Sequence, residues 1–399
     1  MQSFFARRTE WDLRTNHYTR ALEAHRDAGK ELLDLTASNP TTVGLRYRQE
    51  ELLRALTNQE ALRYEPQPKG LWRAREAIAN YYADHDSAVS PDDLILTTST
   101  SEAYSFVFRL LCDPGDTVLV PTPSYPLFDF LAGLQDVRLF SYELVYDDGW
   151  QMDFTSLRNG MGHAAAAGGR CRAALVVHPN NPTGSYVKPH ELEQLNRICA
   201  DAALAIIADE VFLDYSHAAG KPLTCSNNRG ALTFTLSGLS KISALPQMKV
   251  AWIVVSGPQK LKQAALARLE MIADTYLSMN APVQLALPMM LEERHSIQEQ
   301  LLARARENLA ELDSQLSRQQ LCGRLRVEGG WYAVLRVPAR GSDEELTIDL
   351  LGRCGVLVQP GHFYDFAGDG YLVASLITET NLFREGLARL LRSLADLSP

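Results

Sequence analysis

Several short stretches set a reactive or ligand-holding side chain directly after an apolar run, and the most demanding is SGLSK, which ends on Lys241. A lysine at such a place is most simply a solvated head on a flexible stem. Desolvated among apolar neighbours and near other cations, the same amine loses proton affinity and can form a Schiff base with an aldehyde. ADEVF puts Asp209 at the end of an apolar run, where a carboxylate is expensive to bury unless it caps a helix or faces a cation such as a protonated ring nitrogen. In HPNNPTG the prolines impose extended or turn geometry around Asn181 and hold its amide at a strand end. PSYP sets Tyr125 at a sharp turn, either as a half-buried core ring or as a face for a planar ligand. STSEA places Ser99, Thr100 and Ser101 where a helix begins, as a cap or as a cradle for a phosphate.

These side chains need elements that bring them to one place. Between about residues 92 and 257 the apolar runs DLILTTS, DTVLVPT, RAALVVHPN, LAIIADEV, ALTFTLSG and VAWIVVSG alternate with segments of helical period. Several runs are apolar on both faces, as expected of parallel strands covered by helices on each side. Helices are predicted at 101–112 and 190–203, and AAAAGG at 164–169 reads as a solvated loop. Open sheets of this kind bind ligands at the carboxyl ends of their strands, which is where all these candidates fall. After about residue 290 a long charged helix leads into RLRVEGG, WYAVLRVP, VLVQPG and YLVASLI with helices interleaved, a second α+β unit. The expected organisation is a large α/β domain over 45–288, with a mostly parallel sheet, and a small α+β domain built from 1–44 and 289–399.

Bulk properties agree with a globular enzyme. The chain has 399 residues, 46% of them apolar, enough for a sizeable core in two domains. Its formal charge of −9 contains no basic block, which leaves nucleic acid and anionic lipid without a footprint. Cysteines 112, 171, 199, 225, 322 and 354 form no CxxC pair and read as reduced thiols. No signal-peptide core and no membrane-spanning run is evident, so the cytoplasm is expected.

Taken in order, YEPQPKGLWRAREAIA (64–79), STSEA, PTPSYP, HPNNPTG, ADEVF and SGLSK resemble the pyridoxal-phosphate-dependent aminotransferases of the aspartate aminotransferase class, over nearly the whole length. The resemblance implies that Lys241 forms the Schiff base with pyridoxal 5'-phosphate and later shuttles the α-proton. It implies that Asp209 pairs with the pyridinium nitrogen, so that the ring acts as an electron sink. Asn181 would bond the ring hydroxyl, Tyr125 would stack on the ring, and Thr100 and Ser101 would hold the phosphate. Tyr64 would reach the phosphate of a neighbouring subunit, which implies a homodimer acting on a small-molecule amino donor and a 2-oxo acid acceptor.

Departures from the family are equally specific. Phe212 stands where a tyrosine usually donates to the ring hydroxyl, and Gly238 replaces a serine three residues before the lysine. Lys249 replaces an arginine, so a bidentate fork on the phosphate becomes a point charge. Val373 occupies the position of the arginine that clamps the substrate carboxylate, with Lys249 and Arg336 as candidate substitutes. A β-eliminating or decarboxylating enzyme is an alternative on the same electron sink. A non-catalytic, pyridoxal-phosphate-binding sensor is another, though the segment before residue 45 shows neither a helix-turn-helix nor a basic face.

Overall fold

The computed structural model describes residues 4–126, 128–339 and 341–397. Its strands, in chain order, are β1 (Leu33–Asp34), β2 (Leu94–Thr97), β3 (Thr117–Thr122), β4 (Arg138–Tyr146), β5 (Trp150–Met152), β6 (Cys171–Val177), β7 (Ala205–Asp209), β8 (Thr233–Gly238), β9 (Ala251–Ser256), β10 (Gly323–Arg324), β11 (Tyr332–Arg336), β12 (Val356–Leu357), β13 (Gln359–Pro360) and β14 (Tyr371–Ser375). The central sheet has eight strands in the order β2-β9-β8-β7-β6-β3-β4-β5.

Most of it is parallel, as the doubly apolar runs suggested: β3, β4, β6, β7 and β8 share one direction. β9 is the exception inside the sheet, antiparallel to both β8 and β2. The cause is the connection. A parallel neighbour needs a full crossover helix, whereas residues 239–250 carry only the four-residue helix Leu239–Ile242 and a 3₁₀ turn. Successive residues of each buried strand feed opposite faces. Leu175 and Ile207 join a core with helices Thr100–Leu111 and Gln259–Tyr276, while Val176 and Ile206 join one with Phe154–Ala166 and Pro189–Asp201.

Two expectations needed correction. β4 and β5 are absent from the six predicted runs because β4 is half-exposed, with only Tyr142 buried, and offers no continuous apolar signal. AAAAGG is not simply a loop, since its first three alanines finish the helix Phe154–Ala166. Alanine is the strongest helix former, the Asp153 side chain caps the start by accepting from Thr155 N at 2.7 Å and Ser156 N at 3.2 Å, and Gly168 at φ +77° follows the end. The other predicted helices begin and end within two residues of Thr100–Leu111 and Pro189–Asp201.

The smaller unit carries a four-stranded antiparallel sheet, β10-β11-β14-β13, and a parallel pair, β1-β12. That pair joins the two ends of the chain. Leu33 and Leu35 share a core with the long helix Arg294–Leu316 and with helices Asp343–Cys354 and Thr380–Asp396. Among the described residues no helix is long and apolar enough to cross a membrane.

Candidate active site

A cavity of ≈ 360 Å³ lies where the carboxyl ends of β6, β7 and β8 meet the small unit. Its lining includes Asp209 of β7 with Thr100, Tyr125, Asn181 and Lys241 from the helices and turns that follow strands of the large sheet, and Tyr332, Gln359, Phe363 and Tyr364 from the other side. Sequence reasoning brought the first group together. Nothing in periodicity or spacing marked the second.

Lys241 sits in the single helical turn after β8, and the Tyr215 hydroxyl fixes its main chain by donating to Lys241 O at 2.6 Å. Its Nζ lies 4.7 Å from the ring centroid of Trp331 and 5.4 Å from that of Phe212. Among the described residues its one polar contact with the main chain, to Ser38 O, is at the long limit of 3.5 Å. Burial pushes the amine down to about 8, and the Asp209 carboxylate opposes that shift. A lysine in this state is free base often enough near neutrality to act as a nucleophile.

Asp209 closes β7 and is buried. Oδ2 accepts from the Tyr104 hydroxyl at 2.7 Å and Oδ1 from Val211 N at 3.1 Å. Burial raises its carboxyl above the usual carboxylate range, against the pull of those two donors and of Lys241. A carboxylate so placed favours a cationic ligand group.

The two asparagines of HPNNPTG divide their work. Asn180 is a structural tie: its Nδ2 donates to Pro123 O at 3.0 Å and to Thr183 Oγ1 at 2.9 Å, and its Oδ1 accepts from Ser124 Oγ at 2.9 Å. Asn181 is also buried, yet its Oδ1 has no partner among the described residues. His178 steadies the turn, with Nε2 on Leu223 O at 2.6 Å and Nδ1 on Val187 N at 2.9 Å. Burial pushes this imidazole down to about 4, which leaves it neutral and suited to one donor and one acceptor role.

At the helix start the cap is Ser99, whose hydroxyl accepts from Glu102 N at 3.1 Å, while Glu102 Oε2 accepts from Thr98 N at 2.7 Å. Thr100 lines the cavity; Ser101 is exposed and does not. Tyr125 is 39% exposed and stands edge-on to Phe128 at 6.2 Å.

Tyr64, Lys249 and Arg336 lie outside the lining. Tyr64 is 82% exposed, on a groove formed by residues 61–68 and 277–284. Lys249 is exposed in a left-handed backbone conformation, φ +55°, and Arg336 is exposed at the end of β11. Lys241 is therefore the one cation in the cavity's lining among the described residues.

The departures acquire physical reasons. A Cβ on Gly238 would meet Val250 O and Ala251 Cβ at 2.8 Å, so β9 approaches too closely for a side chain. Phe212 is buried against Trp331 at 5.1 Å and offers its π-face to Lys241. Val373 is fully buried in β14 among Phe212, Trp331, Tyr332 and Val334. Its register partner across the ladder is Gln359, a neutral amide that does line the cavity.

Comparison with known proteins agrees with this geometry. The family described as aminotransferase class I and II matches residues 30–384. The chain is 26% identical over 395 residues to a glutamate-pyruvate aminotransferase, AlaA, of Haemophilus influenzae, covering 97% of this chain and 96% of that one. It is 26% identical over 357 residues to an alanine aminotransferase of Mycobacterium bovis, covering 86% and 81%. Among solved structures, an aminotransferase from Escherichia coli superposes with a TM-score of 0.83 at 23% identity, covering 98% of both chains. An alanine aminotransferase from Pyrococcus furiosus gives 0.84 at 21%, covering 96% of this chain and all of that one. These two likenesses establish the fold. With the match running through the strands, the cavity and most of the small unit, the chain belongs to the aminotransferase class I and II family, whose members are pyridoxal-phosphate-dependent transferases.

Proposed function

We propose that this chain holds pyridoxal 5'-phosphate on Lys241 and moves an amino group between an amino compound and a 2-oxo acid. Such transfer is the activity of its family, and the observation that supports it here is one cavity containing a lysine with lowered basicity, a buried carboxylate and an asparagine oxygen without a partner. The residues fit the cofactor. Lys241 would meet the aldehyde, Asp209 the ring nitrogen, Asn181 the ring hydroxyl and Tyr125 the ring face. Thr100 and the helix start behind it would take the phosphate; Ser101 and Lys249, carried to the same role by the family pattern, lie outside the cavity's lining. When bound, the cofactor supplies an electron sink for the carbanion left by loss of a proton. The protein's part is to keep Asp209 ionised, to hold a ligand flat against Tyr125 and to carry the proton on Lys241 Nζ.

Relatives named for glutamate, pyruvate and alanine favour small 2-oxo acids as acceptors. The donor is a separate matter, because among the described residues the lining offers a donor's carboxylate neutral groups such as Gln359 and Tyr332 and no arginine. A charge-assisted pair contributes about 1.5–3 kcal/mol, so its loss costs about one to two decades in affinity. Common amino acids should have high KM, and donors whose carboxylate is masked or absent should do better. Micromolar affinity for an ordinary α-amino acid would overturn that part of the reading.

A homodimer belongs to the same proposal. Tyr64 and its neighbour Leu62, 82% and 92% exposed, would be covered by a second copy, with Tyr64 serving the partner's phosphate. The division into 45–288 and 1–44 with 289–399 is part of it too, as is a reducing, cytoplasmic compartment, which suits six unpaired cysteines. Borohydride reduction of cofactor-saturated protein followed by peptide mapping tests the attachment. A label on Lys241 supports it; a label elsewhere, or none, overturns it.

A further inference from the structure

Tyr104 contributes nothing to the cavity wall, yet it touches the carboxylate at its floor. The residue is 2% exposed on helix Thr100–Leu111, with the Phe108 and Phe128 rings at 5.9 and 5.6 Å. A hydroxyl in such surroundings is costly unless it is bonded. A phenylalanine would fill the same space without that cost. The Tyr104 hydroxyl donates to Asp209 Oδ2 at 2.7 Å, while Val211 N occupies Oδ1, so one side-chain donor and one main-chain donor grip the two oxygens.

We propose that Tyr104 is a positioning residue for the reaction, whose hydroxyl holds Asp209 in its ionised form and so keeps the shared proton on the ligand's ring nitrogen. The inference rests on the reading that Asp209 faces that nitrogen. Within the buried pair the proton has two homes, and a donor to the carboxylate favours the ionic arrangement over the neutral one. Burial pushes the Tyr104 hydroxyl well above its ordinary range, which keeps it protonated and able to donate throughout the working pH range. Without the hydroxyl the proton shifts towards Asp209, and the ring becomes a weaker electron sink. A neutral ring also withdraws less charge from the nitrogen linked to Lys241, which then holds its own proton to higher pH.

The test is a pH titration of the visible absorbance of bound cofactor in the wild type, Tyr104→Phe and Asp209→Asn. The expected result is an upward shift of the midpoint by about one unit in Tyr104→Phe, the size of a hydrogen bond to a charged group, and a larger shift in the same direction in Asp209→Asn. A purely structural tie between helix and strand would lower the urea midpoint without moving the titration. A shifted Asp209→Asn with an unshifted Tyr104→Phe overturns the role of Tyr104. No shift in either overturns the placement of Asp209 and the inference with it. Tyr104→Met, of similar bulk and also without a hydroxyl, replaces the phenylalanine variant if that one fails to fold.

Discussion

A lysine beside two aromatic faces and one carboxylate is pulled in both directions: loss of water disfavours its charge, and the rings and Asp209 favour it. Burial wins, and the amine comes down to about 8. Because this is a base whose affinity for protons is depressed, its neutral form persists below the pH at which exposed lysines lose it. Trace acetylation of cofactor-free protein should label Lys241 with a midpoint near 8, its reactivity falling as pH drops through that value while other lysines stay protected to higher pH. A midpoint near 10.5, the ordinary lysine value, would show the amine to be fully solvated. At this scale the sequence was legible where a reactive residue ends an apolar strand, as Asp209 does, or follows one closely, as Lys241 does. It was silent about Ser38, 203 residues from the lysine it touches, and about Trp331, because proximity of that kind is created by folding alone. Val373 could be recognised as a departure, but not as a fully buried member of an aromatic cluster.

Between elements, β8 and β9 make a tight contact next to Lys241. Gly238 pairs with Ala251 in register, and the space a side chain would need is taken by Val250 O and Ala251 Cβ. Gly238→Ser, which restores the residue usual in the family, should therefore destabilise the fold by about 1–3 kcal/mol through overpacking, read as a lower urea midpoint. Tighter cofactor binding at unchanged stability would contradict this. The sequence announced this strand pair as two apolar runs, and the runs are there. Their antiparallel direction was hidden because it depends on the length of the connection and not on strand composition. β4 escaped for a different reason: only one of its faces, Phe140, Tyr142 and Leu144, packs on the core, so it offers no continuous apolar run of the kind that marked the doubly covered strands.

For the molecule as a whole, the exposed segment around Tyr64 invites a direct test of assembly. In the proposed homodimer, mixing Tyr64→Phe chains with Lys241→Ala chains would give hybrids in which one site carries both substitutions and the other carries neither. Activity above that of the two parent homodimers is expected; none beyond the Tyr64→Phe contribution would remove Tyr64 from the partner's site. The fold class was legible from alternating apolar runs and helical segments, whereas the cavity's second wall was not, since Tyr332, Gln359, Phe363 and Tyr364 come from short strands and turns with ordinary composition. That two-walled construction has a consequence for how such a protein can change over generations. Asp209 ends β7 and Lys241 sits in the turn that follows β8, while Gln359 and Tyr364, whose hydroxyl donates to Gln359 Oε1, belong to the other unit. Mutations can therefore accumulate on the second wall, altering which molecules are accepted, while the first wall is inherited intact. A gene library randomised only at 359, 363 and 364 would sample new preferences without revisiting the chemistry.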